Sequence, residues 1–83
     1  MLTEIELTEI ENRVNQTQNG PWKAFIEGRD HESGSSFIMT GTESNRGDDI
    51  ELLGATIADI DFIANAKQDI TNLLQMIKEL QNL

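Results

Sequence analysis

Hydrophobic residues in the last third of the chain recur at the spacing of an α-helix, and this pattern constrains the fold more than any other feature of the sequence. A short apolar stripe is followed by a longer one: Ile57, Ile60 and Ile63, then Ile70, Leu73, Leu74, Ile77 and Leu80. Residues three and four positions apart lie on one side of a helix. Because Asp69 is a good N-cap residue, we expect two helices that meet near residues 66–68, with one bent helix as the alternative.

The first residues of the chain also have a helical pattern, with an apolar face made of Leu7, Ile10 and Val14. The start of this helix fits a capping box in two registers, at residues 3–6 and at residues 8–11. The segment Asn19-Gly20-Pro21 ends it, since glycine suits the residue after a helix and proline cannot continue one. The sequence therefore predicts a helix over residues 1–18.

The middle of the chain changes to the composition of β-strands. Three segments have it: 22–27, 36–40 and, more weakly, 49–52. The connections between them are short and rich in Gly, Ser, Asn and Asp, and short connections favour antiparallel pairing because parallel strands need a long crossover. We therefore predict a single α+β domain over residues 1–83, with an N-terminal helix, a three-stranded antiparallel sheet and a C-terminal helical pair.

The length of the chain limits the core that it can bury. A domain this small buries only roughly 60% of the surface that its unfolded chain exposes. The last helical stripe ends in Leu80 and Leu83 with little polar protection. Small domains often complete a thin core by oligomerising, so we expect a homo-oligomer.

The charge of the chain excludes several classes of partner. Fifteen acidic residues against six Lys and Arg give a net charge of −9. Such a charge disfavours nucleic acid, which is bound through its phosphates, and anionic membrane surfaces. No apolar run reaches the roughly 20 residues of a membrane span, and the first residues lack the pattern of a signal peptide. We therefore expect a cytoplasmic protein that binds neither nucleic acid nor membranes.

Catalytic and metal-binding patterns are weak. The chain has no cysteine and a single histidine, His31. A catalytic triad could be drawn from Ser33, His31 and Asp30, but neighbours in one loop rarely have triad geometry. The carboxylates do not match the spacing of a calcium-binding loop. We therefore predict no enzymatic activity, no cofactor and no metal site.

The segment from Gly28 to Ser36 holds the densest group of hydrogen-bond donors in the chain. It contains one guanidinium, one imidazole and three hydroxyls. Arginine can bind a phosphate with two hydrogen bonds, and serine hydroxyls and glycine amides can complete such a site. A polar hairpin loop is the alternative interpretation of the same composition. Trp22 is either a core residue or an aromatic wall for a ligand.

Three segments resemble a large group of small phage and prophage proteins: Asn19-Gly20-Pro21-Trp22, residues 28–38 and residues 58–70. Proteins of this group have an N-terminal helix that runs into Gly-Pro-Trp, and a closing Ala-Asp-x-x-Phe-Ile-Ala-x-Ala segment before a Leu-rich helix. The resemblance covers about residues 8–80. Thr71 departs from it, because many members have proline there, but threonine is compatible with the same position.

The resemblance implies a phage setting, in which small acidic proteins that blunt host defences are common. Its first implication is a non-enzymatic sponge that sequesters a nucleotide-derived immune signal, such as a cyclic nucleotide or an ADP-ribose derivative. Arg29 would then pair with a phosphate, and Trp22 would stack on the ligand or wall its pocket. The ligand-binding residues of this hypothesis are Trp22, Arg29, Asp30, His31, Ser33 and Ser35.

The alternative is an acidic interaction protein that binds and inhibits a host protein. The net charge supports this alternative directly, because a basic groove on a partner attracts carboxylates. The candidate contact residues are Glu4, Glu6, Glu9, Glu11, Asp48, Asp49 and Glu51.

Overall fold

The computed structural model describes residues 2–32 and 34–82. Its elements, in chain order, are α1 (Glu4–Gln16), β1 (Trp22–Phe25), β2 (Phe37–Thr42), β3 (Asn45–Arg46) and α2 (Ile57–Gln81). The strands form one antiparallel sheet in the order β1-β2-β3. The α+β class, the N-terminal helix and the three-stranded antiparallel sheet are confirmed.

The predicted C-terminal helical pair is wrong, because α2 is one helix of 25 residues. No Gly or Pro interrupts it between Ile57 and Gln81, so its hydrogen-bond ladder continues through the predicted break at residues 66–68. Asp69 is an exposed residue inside the helix, not an N-cap. The capping box lies at the true start of α2, where Thr56 accepts from the Asp59 amide and Asp59 accepts from the Thr56 amide.

The predicted third strand at residues 49–52 is also wrong. The chain turns back directly after β2, so that Gly41 pairs with Arg46 in β3. The segment 49–52 contributes one isolated bridge, in which Ile50 and Ile38 exchange backbone hydrogen bonds of 2.9 and 2.8 Å. A strand of two residues is too short to show the alternation of apolar and polar residues by which strands are predicted, so the sequence did not indicate β3.

Helix α1 begins at the first of its two possible capping boxes. Thr3 is the N-cap, and its side chain and that of Glu6 bind each other's backbone amides. The helix ends at Gln16, two residues before the predicted end, where the Thr17 hydroxyl donates to the Val14 carbonyl at 2.6 Å. The N-terminal helix is therefore confirmed with shorter bounds.

The core lies between the sheet and the first half of α2. Alternate residues of β1 and β2 point at this helix, and the buried apolar set is Ala24, Ile26, Ile38, Ile60 and Ala64. Thr40 is buried beside them, and its hydroxyl donates to the Asp48 carbonyl at 2.7 Å. One sheet face is thus covered by α2, and the opposite face carries Lys23, Phe25, Phe37 and Met39.

The second half of α2 extends beyond the sheet and contacts α1 instead. The two helices run antiparallel, because Glu11 pairs with Lys78 whereas Lys67 donates to the Val14 carbonyl. None of the described residues of α1 is buried. The radius of gyration is 15.0 Å, against about 12 Å for a compact domain of this length. The α1–α2 pair is therefore an arm whose apolar side remains open in a single copy of the chain.

Within the described part of the chain, neither helix combines the length and apolar character that crossing a membrane requires.

Candidate functional site

The donor-rich segment forms the loop between β1 and β2, which we call the hairpin loop (residues 27–36; Ser33 lies outside the described residues). The loop is tightly wound around one acceptor: the amides of Arg29, Asp30 and His31 all donate to the Ile26 carbonyl, at 3.1, 2.7 and 3.4 Å. The Gly28 amide donates to the His31 carbonyl at 2.8 Å. Backbone donors that the sequence made available to a phosphate are therefore used inside the loop.

Arg29 is bound by two carboxylates. Its Nη1 and Nη2 donate to the two oxygens of Asp61 at 2.8 and 3.0 Å, a bidentate pair with the first turns of α2. Its Nε and Nη2 donate to Asp30 Oδ2 at 3.0 and 2.9 Å. Asp30 Oδ2 also accepts from the Ile26 amide at 2.8 Å. Both edges of the guanidinium are occupied, and the hairpin loop is tied to α2.

The same contacts shift the ionisation of all three side chains. The hydrogen bonds from Arg29 hold the pKa of Asp61 below its ordinary value. Those from Arg29, and then that from the Ile26 amide, lower the pKa of Asp30. Hydrogen bonds to Asp61 and Asp30 raise the pKa of Arg29 further above its already high value. The cluster is therefore fully charged at neutral pH and carries one excess negative charge.

We expect the stability of the chain to fall in acid. A carboxyl whose pKa is lower in the folded than in the unfolded chain stabilises the fold fully above the unfolded value, and this contribution is lost as the pH falls through the folded value. The ordinary value is 3.8 for Asp30 and Asp61. The melting temperature should therefore change little down to about pH 5 and fall below about pH 4.

Thermal melts between pH 2 and pH 7 measure this dependence, with Asp61→Asn as the comparison. The variant keeps a side chain of the same shape but has no carboxyl to titrate, so its melting temperature should fall less steeply below pH 4. Identical acid dependence of the two proteins would show that the pair with Arg29 contributes nothing to it.

His31 lies on the sheet face that α2 leaves uncovered. Its ring is tilted against Phe37 at a centroid distance of 5.4 Å. Phe37 is stacked on Phe25 at 5.4 Å with 11° between the ring planes, and Lys23 Nζ lies 5.2 Å from the Phe25 ring centre. We call these four residues the aromatic face. It joins the hairpin loop to a half-buried apolar surface that the sequence did not assign to any site.

The serines of the loop bind within the chain. The Ser35 hydroxyl donates to Glu51 Oε1 at 3.2 Å, and the Ser36 hydroxyl accepts from the Glu27 amide at 3.1 Å. Ser33, a predicted ligand residue, lies outside the described residues. The Ser35 contact brings a further carboxylate to the loop from 16 positions along the chain.

Trp22 lies at the far end of β1 from the hairpin loop. Ile26, where the loop begins, is four positions further along an extended chain, a distance of about 13 Å. Its indole N–H donates to the Gln18 carbonyl at 3.0 Å, and its half-buried ring packs against the core. The expectation that Trp22 walls the same pocket as Arg29 needs correction, because the two do not meet within one copy of the chain.

The hairpin loop is surrounded by acidic groups. We call the set Glu27, Asp30, Glu32, Glu51 and Asp61 the acidic hairpin end. The cation within the loop, Arg29, is bound to Asp30 and Asp61, and Lys23 of β1 also interacts with Asp30. In the described residues, no group of His, Cys, Asp and Glu is arranged to hold a metal ion. The geometry therefore favours a cationic partner over an anionic one at this end of the sheet.

Comparison with known proteins gives no relative. No family model, curated protein or solved structure matches the chain.

Asp61 was missed from the sequence, and Glu51 was predicted only as a contact residue of the acidic alternative, not as a partner of the hairpin loop. Asp61 lies 32 positions from Arg29 and Glu51 lies 16 positions from Ser35, so no local spacing connects them. Asp61 belongs to the Ala-Asp-x-x-Phe-Ile segment that carried the resemblance to phage proteins. Nothing in that segment indicates a contact with Arg29.

Proposed function

We propose that this chain is a non-enzymatic interaction protein whose acidic hairpin end binds a basic surface on a partner protein. The observation that supports this most is the state of Arg29, whose guanidinium is bound on both edges by Asp30 and Asp61. In the setting that the resemblance implies, the partner would be a protein of an infected bacterial host, bound and inhibited in the cytoplasm.

The charge balance of the surface supports the same proposal. Most cations of the chain are held by oxygen atoms of the chain itself: Arg29, Arg46, Lys67 and Lys78. Only four carboxylates share these ion pairs, Glu11, Asp30, Asp49 and Asp61. Within the described residues, the other acidic side chains have no ion-pair partner. Their field steers a basic surface towards the chain and speeds association at low salt.

A phosphate at Arg29 is less favoured by this geometry. It would have to displace Asp30 or Asp61 from the guanidinium. The two carboxylates at the guanidinium, Asp30 and Asp61, would also repel an anion in this solvent-exposed site. The pairing of arginine with phosphate is strong, but here the same donors already bind carboxylates of the chain.

Catalysis is not part of the proposal. A triad centred on His31 would need Asp30 to orient the imidazole. The Asp30 carboxylate is instead held by Arg29 and by the Ile26 amide. The His31 ring lies against Phe37, in a setting typical of packing rather than of proton transfer.

Sequestration of a nucleotide-derived immune signal is the second candidate function. The aromatic face is the observation that favours it, because aromatic rings stack on bases of any sequence. On this reading Phe25, Phe37 and His31 would contact the base, and Lys23 is the nearest cation for a phosphate. In the homo-oligomer expected from the sequence, Trp22 of another copy would contact the same ligand only if the arrangement of the copies brings it to the aromatic face.

Binding of a fluorescent decalysine peptide, followed by anisotropy, tests the first proposal. The triple variant Glu27→Gln, Glu32→Gln, Glu51→Gln removes three carboxylates of the acidic hairpin end and keeps their shapes. The matched control Glu9→Gln, Glu43→Gln, Glu79→Gln removes the same charge elsewhere. Exposed ion pairs contribute roughly 0.5 kcal/mol each. The first triple variant should therefore bind about tenfold more weakly than the native chain, and the control should bind nearly as well.

Equal loss of affinity in the two triple variants would show that the peptide senses net charge alone, and would overturn the assignment to the acidic hairpin end. A thermal-shift panel of cyclic dinucleotides and ADP-ribose derivatives tests the second candidate. A ligand at 100 times its dissociation constant adds about 2.7 kcal/mol to stability. A clear rise in melting temperature that Phe37→Ala removes would establish nucleotide binding in place of the first proposal.

A further inference from the structure

Helix α2 carries a strict heptad repeat on one side. With Ile63 taken as position a, the a positions are all isoleucine and the d positions are alanine and then leucine: Ile63, Ile70 and Ile77 at a, and Ala66, Leu73 and Leu80 at d. A repeat of 3.5 residues keeps this stripe straight along a supercoiled partner helix. The stripe spans three heptads because α2 is continuous across residues 66–68.

The heptad side of α2 is only partly covered in a single copy, where Ala66 and Ile77 are half-buried and the other four a and d residues are exposed. The sheet packs against Ile60, Ala64 and Gln68, on the opposite side of the helix. Helix α1 covers the flank of Lys67 and Leu74. The heptad stripe lies next to the α1 contact on the side away from the sheet, and Ile70 is 38%, Leu73 57% and Leu80 61% exposed.

We propose that a second copy of this chain covers this side, and that the two α2 helices pair in parallel. Among parallel coiled coils, isoleucine at a with leucine at d favours two strands over three or four. A two-fold axis along the seam would bring like residues together, Leu73 against Leu73 and Leu80 against Leu80, in a self-complementary interface. This proposal is independent of the proposed function.

Charge complementarity across the seam supports the parallel arrangement. In a parallel pair, the e side of one helix faces the g side of its partner. Helix α1 packs beside the e side of α2, and the open groove of about 550 Å³ between them is lined from α2 mainly by the a and d residues Ile70, Leu73 and Ile77, with Arg13 on its α1 wall. The g residues of α2 are Phe62, Asp69 and Met76. Neither Arg13 nor Asp69 has an ion-pair partner in the described residues, and parallel pairing brings Arg13 of one copy towards Asp69 of the other.

The exposed apolar g residues fit the same geometry. Phe62 is 75% exposed and Met76 57% exposed in one copy. Parallel pairing places them over the α1 helix of the other copy, which closes the open groove as a four-helix bundle. Antiparallel pairing would instead turn the two α1 helices towards each other. The g residues of one copy would then face the g residues of the other copy.

Cysteine cross-linking tests the direction of the pairing. The chain has no cysteine, so a single Leu80→Cys substitution gives one thiol at a d position. In the parallel dimer the two thiols face each other, and mild oxidation should convert most of the protein into a covalent dimer. In an antiparallel dimer this thiol lies at the opposite end from its counterpart. Asn72→Cys, on the outer side of the same helix, is the control and should remain uncross-linked.

Sedimentation equilibrium tests the pairing itself. The native chain should sediment at twice its mass of 9.3 kDa. Leu73→Asp should weaken the dimer by roughly a hundredfold or more, because it places two carboxylates in the seam. Asn72→Asp adds the same charge on the outer side and should leave the dimer intact. Far-UV circular dichroism separates dissociation from unfolding, since Leu73 is exposed in one copy.

Charge reversal tests the assigned contact. Arg13→Glu should weaken the dimer, and Arg13→Glu with Asp69→Arg should restore it. A native chain that is monomeric at high micromolar concentration would overturn the proposal. So would a dimer that Leu73→Asp leaves unchanged, or a Leu80→Cys variant that fails to cross-link within a dimer of the expected mass.

Discussion

Replacement of Gly41 by alanine is expected to destabilise the fold by about 3 kcal/mol or more, since it combines backbone strain with a steric clash. Gly41 is buried in β2 with φ of +76°, a conformation that residues with a Cβ rarely adopt. A Cβ there would lie 2.3 Å from the Asn45 carbonyl oxygen and 3.2 Å from the Gly47 amide nitrogen. Both neighbours are backbone atoms of the β3 turn, so neither can move without breaking the strand pair. Urea denaturation measures the loss.

Gly54→Ala is the matched control. Gly54 has nearly the same backbone angle, with φ of +80°, but a Cβ there would have nothing within 4 Å. Its substitution should therefore lower the free energy of unfolding only through backbone strain, by roughly 1–2 kcal/mol. A Gly41→Ala variant no less stable than Gly54→Ala would show that the turn after β2 relaxes freely and that β3 is not needed for the fold.

Truncation of Ile38 to alanine is expected to cost about 2–5 kcal/mol, the range for large core residues. Ile38 is fully buried, at 0% exposure, in the central strand. Its side chain lies between the sheet and α2, and its backbone is bonded to Ile50 on the other edge. Because a small domain has only a few kcal/mol of net stability, the variant should be largely unfolded at 37 °C.

Leu53→Ala removes a side chain of the same size from a fully exposed position. It should change stability by no more than about 0.5 kcal/mol. Chemical denaturation measures the free energy of unfolding of Ile38→Ala and Leu53→Ala. The comparison shows how much of the loss comes from core packing and how much from removing an apolar side chain anywhere in the chain. Equal stability of the two variants would contradict the placement of the core between the sheet and α2.

The sequence predicts the elements of this fold better than their bounds. The sequence offered two capping boxes for α1, and the structure has the first of them, at Thr3 and Glu6, because capping is a local hydrogen-bond pattern that a sequence shows without choosing between registers. The same reasoning failed at Asp69, since a good N-cap residue does not end the helix that precedes it. The continuity of α2 depends on the absence of Gly and Pro through residues 66–68 and on its packing over the sheet and α1.

The candidate site was predicted only in composition. The donors of the hairpin loop are where the sequence placed them, but their partners come from elsewhere in the chain. Asp61 and Glu51 approach the loop because α2 and the segment after β3 pack beside it. Those contacts change a group of donors suited to an anion into a surface with excess negative charge. Which charged side chains surround a residue depends on the tertiary packing of distant segments, so residue spacing along the chain does not predict it.

The contacts of β1 also bear on aggregation. β1 is an edge strand, and unpaired backbone groups on such an edge can recruit strands from other molecules. Here side chains occupy that edge. Gln68 accepts from the Trp22 amide and donates to the Trp22 carbonyl, both at 2.9 Å, much as a neighbouring strand would. Asp30 binds the Ile26 amide four residues further on. Between Trp22 and Ile26, only Ala24 directs its backbone N–H and C=O away from the sheet. One unpaired residue is too short a stretch of edge for the strand of another molecule to pair with.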